Sequence, residues 1–321
     1  MKIAILDDYQ DVALSFADWS QLTRTAELRV FNHNLATVEE AAATLADFDI
    51  LCLMRERMPV GRALIERLPK LKFIVVTGAH NRTLDLDAAR DCGILVSHTR
   101  GAATEHPTTE LTWALILAAA RHLAEEERGM RAGGWQTTVG RTLHGRRLGV
   151  VGLGRLGGNV ARVGQAFGME VVAWSQNLTE ARAAEVGAVL LSKEELFASS
   201  DVVSLHLALS ERTRAIVGAA ELAAMKDDAL LVNTSRGELV DESALIGALK
   251  ARRPAMAALD VYDVEPLPPD HPLRSLDNVV LSPHLGYVAR EVLQVFYGDT
   301  VENLEAFLEG RPIRLMNLIQ L

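Results

Sequence analysis

The chain has 321 residues, of which 49% are hydrophobic and 23% are charged, and its formal net charge is −9. This length exceeds what one ordinary hydrophobic core serves, so we expect two soluble globular domains. The acidic balance disfavours nonspecific binding to nucleic acid, which requires cations that neutralise phosphates, and we predict no nucleic-acid partner.

The first hundred or so residues alternate short β-branched runs with alanine-rich stretches, which is typical of a parallel sheet covered by helices. Helices are predicted at Val60–Leu68 and Leu86–Asp91. The predicted strands read KIAIL, ELRVF, DILCLM, KFIVVTG and GILVSH. This pattern predicts a small doubly wound domain that ends near residue 101.

A long helical segment comes next, EHPTTELTWALILAAARHLAEEERGM. Between Leu111 and Ala120 it is apolar on nearly every side, which indicates a buried helix. A second series of strands then begins, and these strands read RLGVVGLG, EVVAWS, DVVSLHL, ALLVNTS, AMAALDV and NVVLSP. The final segment, Glu291–Glu309, is again predicted to be helical.

The sequence predicts neither secretion nor a membrane anchor. The N-terminus, MKIAILDDYQ, has the pattern of a strand rather than of a signal peptide. The longest apolar run, Leu111–Ala120, is too short to span a bilayer. Cys52 and Cys92 are too few for a disulfide framework and fit a reducing compartment. We therefore expect a cytoplasmic protein with no membrane partner.

Residues 152–157 read Gly-Leu-Gly-Arg-Leu-Gly, between a predicted strand and an amphipathic helix. In this context the glycines predict a dinucleotide-binding turn. Gly152 would make the tight turn, Gly154 would let the backbone approach a pyrophosphate, and Gly157 would allow close packing of helix on strand. The alternative is a tight turn that binds nothing.

The strand after this turn ends in Ser175, Gln176 and Asn177, where dinucleotide-binding proteins usually carry an acid. A carboxylate there binds the ribose hydroxyls and repels a 2′-phosphate, whereas these three side chains repel neither group. Arg182 follows five residues later and could reach a phosphate, or it could be a solvated helix residue. We predict NAD or NADP as the cofactor, with a lean towards NADP.

Three further polar stretches follow strands of the second series: NTSRGELVDE with Arg236, LDVYDVEPLP with Glu265, and LSPHLG with His284. Ligands of open α/β sheets bind outside the carboxyl ends of the strands, so these stretches can converge on one substrate. An arginine fork grips a carboxylate in two places. A histidine passes protons near neutral pH, and a neighbouring carboxylate favours its protonated form.

This set of residue types predicts the reduction of a 2-oxo acid, in which C2 receives a hydride and the carbonyl oxygen receives a proton. No metal is expected. Taken one at a time, Arg236 could be a salt-bridge partner, Glu265 a solvated turn residue and His284 a structural hydrogen-bonding group. Their position at strand ends after a glycine turn favours the catalytic interpretation.

These stretches also give the sequence a recognisable pattern. It resembles the D-isomer-specific 2-hydroxyacid dehydrogenases, the family of D-lactate, glyoxylate/hydroxypyruvate and 3-phosphoglycerate dehydrogenases, over nearly the whole chain. The stretches that match, in the family's order and spacing, are LPKLKFIVVTGAHNRTLDLDAARDCGILV, the helix with Glu110, GLGRLG, NTSRGELVDESAL, ALDVYDVEP and SPHLG.

The resemblance implies an α/β fold of two doubly wound parallel-sheet domains. Residues 1–101 plus 289–321 would form a flavodoxin-like substrate domain, and residues 102–288 a Rossmann domain that binds NAD(P), with a cleft that closes over cofactor and substrate. Homodimers built through the nucleotide domain and its long helix are usual in the family. The expected partner is a small 2-oxo or 2-hydroxy acid, with glyoxylate-like and hydroxypyruvate-like substrates favoured.

The resemblance also implies roles for single residues. Arg236 would bind the substrate carboxylate, His284 would be the acid/base, and Glu265 would orient and charge it. The backbone amides of Gly78 and Ala79 would help to hold the carboxylate. Together with the glycine turn and the strand end after it, the predicted cofactor-binding residues are Gly152, Gly154, Arg155, Leu156, Gly157, Ser175, Gln176, His206, Thr213, Thr234, Ser235, Arg236, Asp260, His284 and Gly286.

The sequence departs from the family pattern at several positions. GAHNRTLD, with His80 and Asn81, replaces the commoner Gly-x-Gly-x-Asp-Asn. Tyr287 stands where a smaller residue is common, which predicts a narrower substrate pocket. Arg55 and Arg57 lie near the predicted substrate mouth, where they could meet a distal anionic group or be solvated; solvation is favoured.

Two other functions fit parts of the sequence. Formate dehydrogenases share the architecture, but the position that matches Glu265 is typically glutamine in them, which favours a hydroxyacid enzyme. Corepressors of the superfamily can keep the residues that match Arg236, Glu265 and His284. A nucleotide-sensing binding protein is therefore the non-enzymatic alternative.

Overall fold

The computed structural model describes residues 1–101 and 104–317. They fall into two compact units. The first unit contains the described residues up to 101 and from 289 onwards, and the second unit contains residues 104–288. The chain therefore leaves the first unit once and returns to it for its last helix.

Each unit is built on one sheet. The strands of the first unit are β1 (Lys2–Ile5), β2 (Glu27–Val30), β3 (Ile50–Leu53), β4 (Phe73–Val76) and β5 (Leu95–His98). Those of the second unit are β6 (Arg147–Val151), β7 (Glu170–Trp174), β8 (Val189–Leu190), β9 (Val202–Leu205), β10 (Leu230–Asn233), β11 (Met256–Leu259) and β12 (Val279–Leu281).

Helices connect almost all of these strands. In chain order they are α1 (Ala13–Phe16), α2 (Leu22–Thr25), α3 (Val38–Leu45), α4 (Arg62–Ile65), α5 (Leu86–Asp91), α6 (Glu105–Ala120), α7 (Leu123–Arg131), α8 (Arg155–Ala166), α9 (Glu180–Ala184), α10 (Lys193–Ser199), α11 (Ala219–Ala224), α12 (Glu242–Lys250) and α13 (Arg290–Leu308). Short 3-10 helices span Gly237–Leu239 and Pro272–Ser275.

The first sheet is parallel throughout, in the order β2-β1-β3-β4-β5. This is the strand order of flavodoxin-like sheets. The central strands β3 and β4 are buried at every residue, which explains why ILCL and FIVV are continuous apolar runs rather than alternating ones. The returning helix α13 packs on β4 and β5, with Phe296 and Leu304 fully buried.

The second sheet is also parallel, in the order β12-β11-β10-β9-β6-β7-β8. Counted from β6, six of its strands follow the order 3-2-1-4-5-6 of dinucleotide-binding folds, and β12 extends that sheet by one strand. Helices α6 and α8 share one core with the sheet, and α10, α11 and α12 share another on its opposite face. The loops after β6, β9, β10, β11 and β12 therefore leave the same edge of the sheet.

The predicted fold class is confirmed, and every strand predicted from the sequence is present. Three elements differ in detail. The two-residue strand β8 is too short to give a sequence pattern. Helix α4 covers Arg62–Ile65 rather than Val60–Leu68, because Val60 pairs with Leu84 in an isolated β-bridge.

The long apolar helix differs most from its prediction. It ends at Ala120, and α7 begins after His122, whose backbone is left-handed at φ 51°. Helix α6 is buried against α8 and the sheet, but Ala114 and Leu117 on its outer side are exposed. The predicted buried helix is therefore buried on the sides that face α8 and the sheet, and exposed on its outer side. Among the described helices, none combines the length and the apolar character that crossing a membrane requires.

Candidate active site

The glycine-rich turn joins β6 to α8, and two of its glycines are required by close contacts. Gly152 has a φ of +100°, and a Cβ there would lie 2.8 Å from the backbone carbon and oxygen of His206. A Cβ on Gly157 would lie 2.1 Å from the carbonyl oxygen of Gly152. The backbone of the turn is therefore in close contact with the loop after β9 at Gly152 and with the first turn of α8 at Gly157.

The middle glycine has a different environment. Gly154 is the exposed N-cap of α8, and a Cβ built on it would meet nothing within 4 Å. The first amides of the 12-residue helix α8 thus face open space at the positive end of the helix dipole. Arg155, 83% exposed, and the half-buried Leu156 begin the helix. These residues fit a dinucleotide whose pyrophosphate lies against the helix N-terminus.

The strand end that is predicted to select the nucleotide is polar and uncharged. Ser175 and Gln176 follow β7 directly, Ser175 partly exposed and Gln176 exposed. Arg182 lies in the first turn of α9, and its Nε is 3.4 Å from the carboxylate of Glu185. Its guanidinium is thus held by its own helix rather than placed beside Ser175.

His206 and Thr213 lie in the loop after β9. The Nε2 atom of His206 is 2.8 Å from the hydroxyl of Ser204, and Nδ1 has no hydrogen-bond partner among the described residues. Burial lowers the pKa of His206 to about 3, so the ring is neutral at physiological pH. The hydroxyl of Thr213 donates to the carbonyl of Ala208 at 2.7 Å and thereby closes the loop.

The loops after β10, β11 and β12 carry Arg236, Glu265 and His284, and the last two are in contact. The Nδ1 atom of His284 is 2.5 Å from Oε2 of Glu265. Oε1 of Glu265 accepts the backbone N–H of Tyr262 at 3.0 Å, so both carboxylate oxygens are held. The carboxylate fixes the imidazole orientation and keeps a proton on Nδ1, which leaves Nε2 for exchange with a substrate.

Asp260 braces the loop that carries His284. The residue is fully buried, and its Oδ1 accepts the hydroxyl of Ser282 at 2.5 Å and the amide of Leu285 at 2.8 Å. Oδ2 accepts the amide of Gly286 at 2.9 Å. Burial raises the pKa of the Asp260 carboxyl, against the opposing effect of these hydrogen bonds. His284 itself adopts a left-handed backbone at φ 54°, which this bracing maintains.

Arg236 is held against the Glu265 loop by its neighbour in the chain. A Cβ on Gly237 would lie 2.1 Å from the carbonyl carbon of Tyr262, so the two loops are in backbone contact. The carbonyl of Arg236 accepts from the side chain of Asn233 at 2.7 Å, and its Nη1 donates to the carbonyl of Ser235 at 2.7 Å. Through these contacts the structure brings the three predicted catalytic residues onto adjoining loops.

Comparison with known proteins adds the family. Residues 113–286 match the model described as "D-isomer specific 2-hydroxyacid dehydrogenase, NAD binding domain". The chain belongs to the D-isomer-specific 2-hydroxyacid dehydrogenase family. A nicotinamide cofactor follows from this membership, in agreement with the glycine turn.

The similar proteins span several named activities of the family. A glyoxylate reductase of Aeropyrum pernix is 40% identical over 79% of this chain and 78% of its own length. A hydroxypyruvate reductase of Blautia hydrogenotrophica is 30% identical over 99% of this chain and its entire length. The crystal structure of a phosphoglycerate oxidoreductase from Vibrio cholerae O395 has a TM-score of 0.90 at 40% identity, covering 97% of this chain and 99% of its own.

The predicted substrate loop lies in the first unit, at the carboxyl end of β4. Gly78 has a φ of +85°, and its amide donates to the hydroxyl of Thr99 at 2.7 Å. Nη1 of Arg55 occupies the place of a Gly78 side chain, 1.7 Å from where its Cβ would be. The Gly78 amide already donates to Thr99, so of the two amides predicted to bind the substrate carboxylate the one left is that of the exposed Ala79. A role of either amide in substrate binding stays a prediction.

Three residues of the site were not assigned from the sequence. Thr108 and Thr112 on α6 bond to the loops of His284 and Arg236, and Tyr262 anchors Glu265. The sequence did contain a signal for the two threonines, because hydroxyl side chains in a largely buried helix need hydrogen-bond partners. Predicting their partners required the packing of α6 on β10 and β12.

Proposed function

We propose that the protein reduces small 2-oxo acids to D-2-hydroxy acids with NAD(P)H. The observation that supports it most directly is the contact of His284 with Glu265, whose loop adjoins the Arg236 loop. An acid held by a carboxylate, beside a guanidinium and at the same sheet edge as a dinucleotide turn, is the set that this reaction needs.

Each of the three side chains has a separate task. Arg236 grips the substrate carboxylate through two parallel N–H···O bonds and so fixes the plane of the 2-oxo group. His284 donates a proton from Nε2 to the carbonyl oxygen, and Glu265, in contact with Nδ1, holds the ring in the orientation for that transfer. The nicotinamide cofactor, when bound, supplies the hydride that C2 accepts.

A small substrate fits the surroundings of His284. Tyr287 is 8% exposed and its ring lies against the imidazole, which narrows the space beside the catalytic acid. The relatives named glyoxylate reductase and hydroxypyruvate reductase act on substrates of this size by their names. Glyoxylate and hydroxypyruvate are therefore the substrates we favour.

For the cofactor we propose use of both NADH and NADPH, with a lean towards NADPH. Ser175 and Gln176 offer hydrogen bonds without a negative charge, so a 2′-phosphate meets no repulsion from the end of β7. Arg182, the basic residue that could reach a phosphate, pairs with Glu185 of its own helix, and both side chains are exposed. The proposed preference for NADPH rests only on the lack of an acidic residue at the end of β7.

We further propose that the protein is a homodimer formed through the second unit. Large apolar side chains are exposed along the outer side of α6, along α7 and in the segment after it: Leu117, Leu123, Met130, Trp135 and Val139. Val139 is 93% exposed and Trp135 72%, which is costly in water for a monomer. A second copy of the chain would cover this surface, and sedimentation measures whether it does.

A cytoplasmic location is proposed from the cysteines. Both are free thiols, Cys52 buried and Cys92 exposed. Burial raises the pKa of the Cys52 thiol, which keeps it unreactive. A reducing compartment preserves an exposed thiol such as that of Cys92.

The test is turnover of NADH and NADPH with glyoxylate, hydroxypyruvate, pyruvate and bulkier 2-oxo acids. We expect oxidation of the reduced cofactor with glyoxylate and with hydroxypyruvate. Hydroxypyruvate should give only the D-enantiomer of its 2-hydroxy acid, whereas the product of glyoxylate is achiral. Binding of NADH without turnover of any of these acids would contradict the proposal and favour a nucleotide-sensing binding protein. Glu265, where formate dehydrogenases typically carry glutamine, predicts no oxidation of formate.

A further inference from the structure

Helix α6 carries two threonines, Thr108 and Thr112, whose hydroxyls contact loops of the candidate active site. Thr108 and Thr112 are one turn apart and therefore lie on the same side of the helix. Thr112 is completely buried. A hydroxyl in an apolar interior costs free energy unless it is hydrogen-bonded, so the partners of these two side chains show what they do there.

Thr108 reaches the loop of the catalytic histidine. Its Oγ1 is 2.8 Å from the carbonyl oxygen of Gly286 and also 2.8 Å from that of Thr104, one turn back in the helix. The amide of Gly286 is held by Asp260. The peptide units on either side of Gly286 are therefore held by the carboxylate of Asp260 and by the Thr108 hydroxyl, whose single proton is shared between the carbonyls of Gly286 and Thr104.

Thr112 reaches the loop of the substrate-binding arginine. Its hydroxyl donates to the carbonyl of Thr108 at 2.7 Å, so its oxygen accepts the proton of the Thr234 hydroxyl at 2.8 Å. Thr234 is buried and stands two residues before Arg236. Thr234, which the sequence assigned to the cofactor site, thus points its hydroxyl at α6.

We propose that Thr108 and Thr112 are positioning residues that hold the His284 loop and the Arg236 loop at a fixed separation, set by one turn of α6. The two loops follow different strands, and a helical turn of about 5.4 Å is a rigid spacer between their attachment points. The inference rests on the proposed function, because the spacing matters only if His284 and Arg236 act on one substrate. A displacement of about 1 Å of such groups costs up to about a hundredfold in rate.

Thr109 provides a matched control on the same helix. It is also buried, but its hydroxyl donates to the carbonyl of Glu105, within α6. Valine replaces threonine with the same shape and without the hydroxyl, so Thr109→Val removes one hydroxyl from α6 without touching either loop. Loss of stability alone would appear in all three valine variants.

Steady-state kinetics separates the roles of the two positions. Thr108→Val should lower kcat by about tenfold or more with a nearly unchanged KM for the 2-oxo acid, because the proton donor shifts. Thr112→Val should raise that KM by about tenfold or more, because the arginine clamp acts on bound substrate and transition state alike. For Thr109→Val, kcat and KM should stay within about twofold of the wild-type values. Thr108→Ser keeps the hydroxyl and should have a kcat close to that of the wild type. Equal effects of all three valine variants would overturn the inference.

A second measurement does not depend on activity. The amides of Leu285 and Gly286 donate to Asp260, and their hydrogen exchange reports on the order of the His284 loop. We expect these amides to exchange about tenfold faster or more in Thr108→Val than in Thr109→Val. Unchanged exchange would contradict the positioning role even in an active enzyme. Faster exchange in a protein that turns over no 2-oxo acid would support positioning of the loop while the proposed function fails.

Discussion

Tyr287 packs edge-on against His284, with the ring centroids 5.8 Å apart and the ring planes at 75°. The edge-to-face arrangement is a favourable one for two aromatic rings, and it places a bulky side chain beside the proposed catalytic acid. A residue noted in the sequence only as larger than usual thus contacts the predicted catalytic histidine.

Truncation of this ring should widen the range of substrates. For Tyr287→Ala we expect kcat/KM for a 2-oxo acid with a branched or aromatic side chain to rise by about tenfold relative to glyoxylate, as apolar contacts contribute about 1–3 kcal/mol to discrimination. Tyr287→Phe keeps the ring and should leave the ratio within about twofold of the wild type. A ratio that does not change in the alanine variant, with its folded state verified by thermal unfolding, would mean that Tyr287 does not border the substrate.

The carboxylate clamp is tested by a change of shape at constant charge. Arg236→Lys keeps the positive charge but cannot form two parallel bonds, so kcat/KM for the 2-oxo acid should fall by about a hundredfold. Arg252→Lys is the control, since that exposed arginine pairs with Asp277 at a distance of 2.9 Å and has no part in the site. Near-normal kinetics of Arg236→Lys would contradict the role of Arg236 as a two-pronged clamp.

Much of the fold could be predicted from the sequence because its signals are local. The apolar runs of β3 and β4 and the glycine turn after β6 each specify their own structure within a few residues. The details that differ depend on contacts that are distant in the chain. Val60 leaves its predicted helix to pair with Leu84, and β8 exists only because the sheet continues past β7.

The same distinction applies to the site. Arg236, Glu265 and His284 could be named from motifs, since each stands in a recognisable stretch at a strand end. The partners that hold them could not, because the contact of Gly237 with Tyr262 and that of Thr108 with Gly286 join segments from different elements. Sequence patterns therefore predicted candidate reacting groups but not the contacts that orient them.

Gly237 offers a test of how closely the loops of the site are packed. Gly237→Ala should lower turnover by about tenfold or more, because the new Cβ would displace the Tyr262 peptide that anchors Glu265. The same substitution should also lower the free energy of unfolding.

Gly247→Ala is the matched control, because a Cβ at Gly247 meets nothing within 4 Å. In the interior of α12, alanine should stabilise the protein by about 0.5–1 kcal/mol relative to glycine. Equal activity of the two variants would mean that the loops tolerate displacement.

Cofactor choice should respond to a single charge at the end of β7. Ser175→Asp introduces the acid that is absent there, and it should lower kcat/KM for NADPH by about tenfold or more while kcat/KM for NADH stays the same or rises. Ser175→Asn has nearly the same size without the charge and should change both values equally. If the ratio of kcat/KM for NADPH to kcat/KM for NADH is the same in Ser175→Asp and in the wild type, the 2′-phosphate does not approach Ser175. The proposed preference for NADPH would then be contradicted.

His206 should make stability depend on pH in a defined direction. Burial lowers its folded-state pKa to about 3 from an ordinary value of 6.5. The stability that comes from keeping this ring neutral is therefore present above about pH 6.5 and is lost as the pH falls towards about 3. Between about pH 7.5 and about pH 5, this single group should cost the wild type about 2 kcal/mol of unfolding free energy.

Urea unfolding of the cofactor-free protein at both pH values measures that loss. In His206→Asn the side chain cannot titrate, so the decrease between the two pH values should be smaller than in the wild type by roughly that amount. His144→Asn, at an exposed histidine, is the control and should leave the decrease unchanged. The same decrease in wild type and His206→Asn would mean that the buried environment of the ring does not lower its pKa in the folded protein.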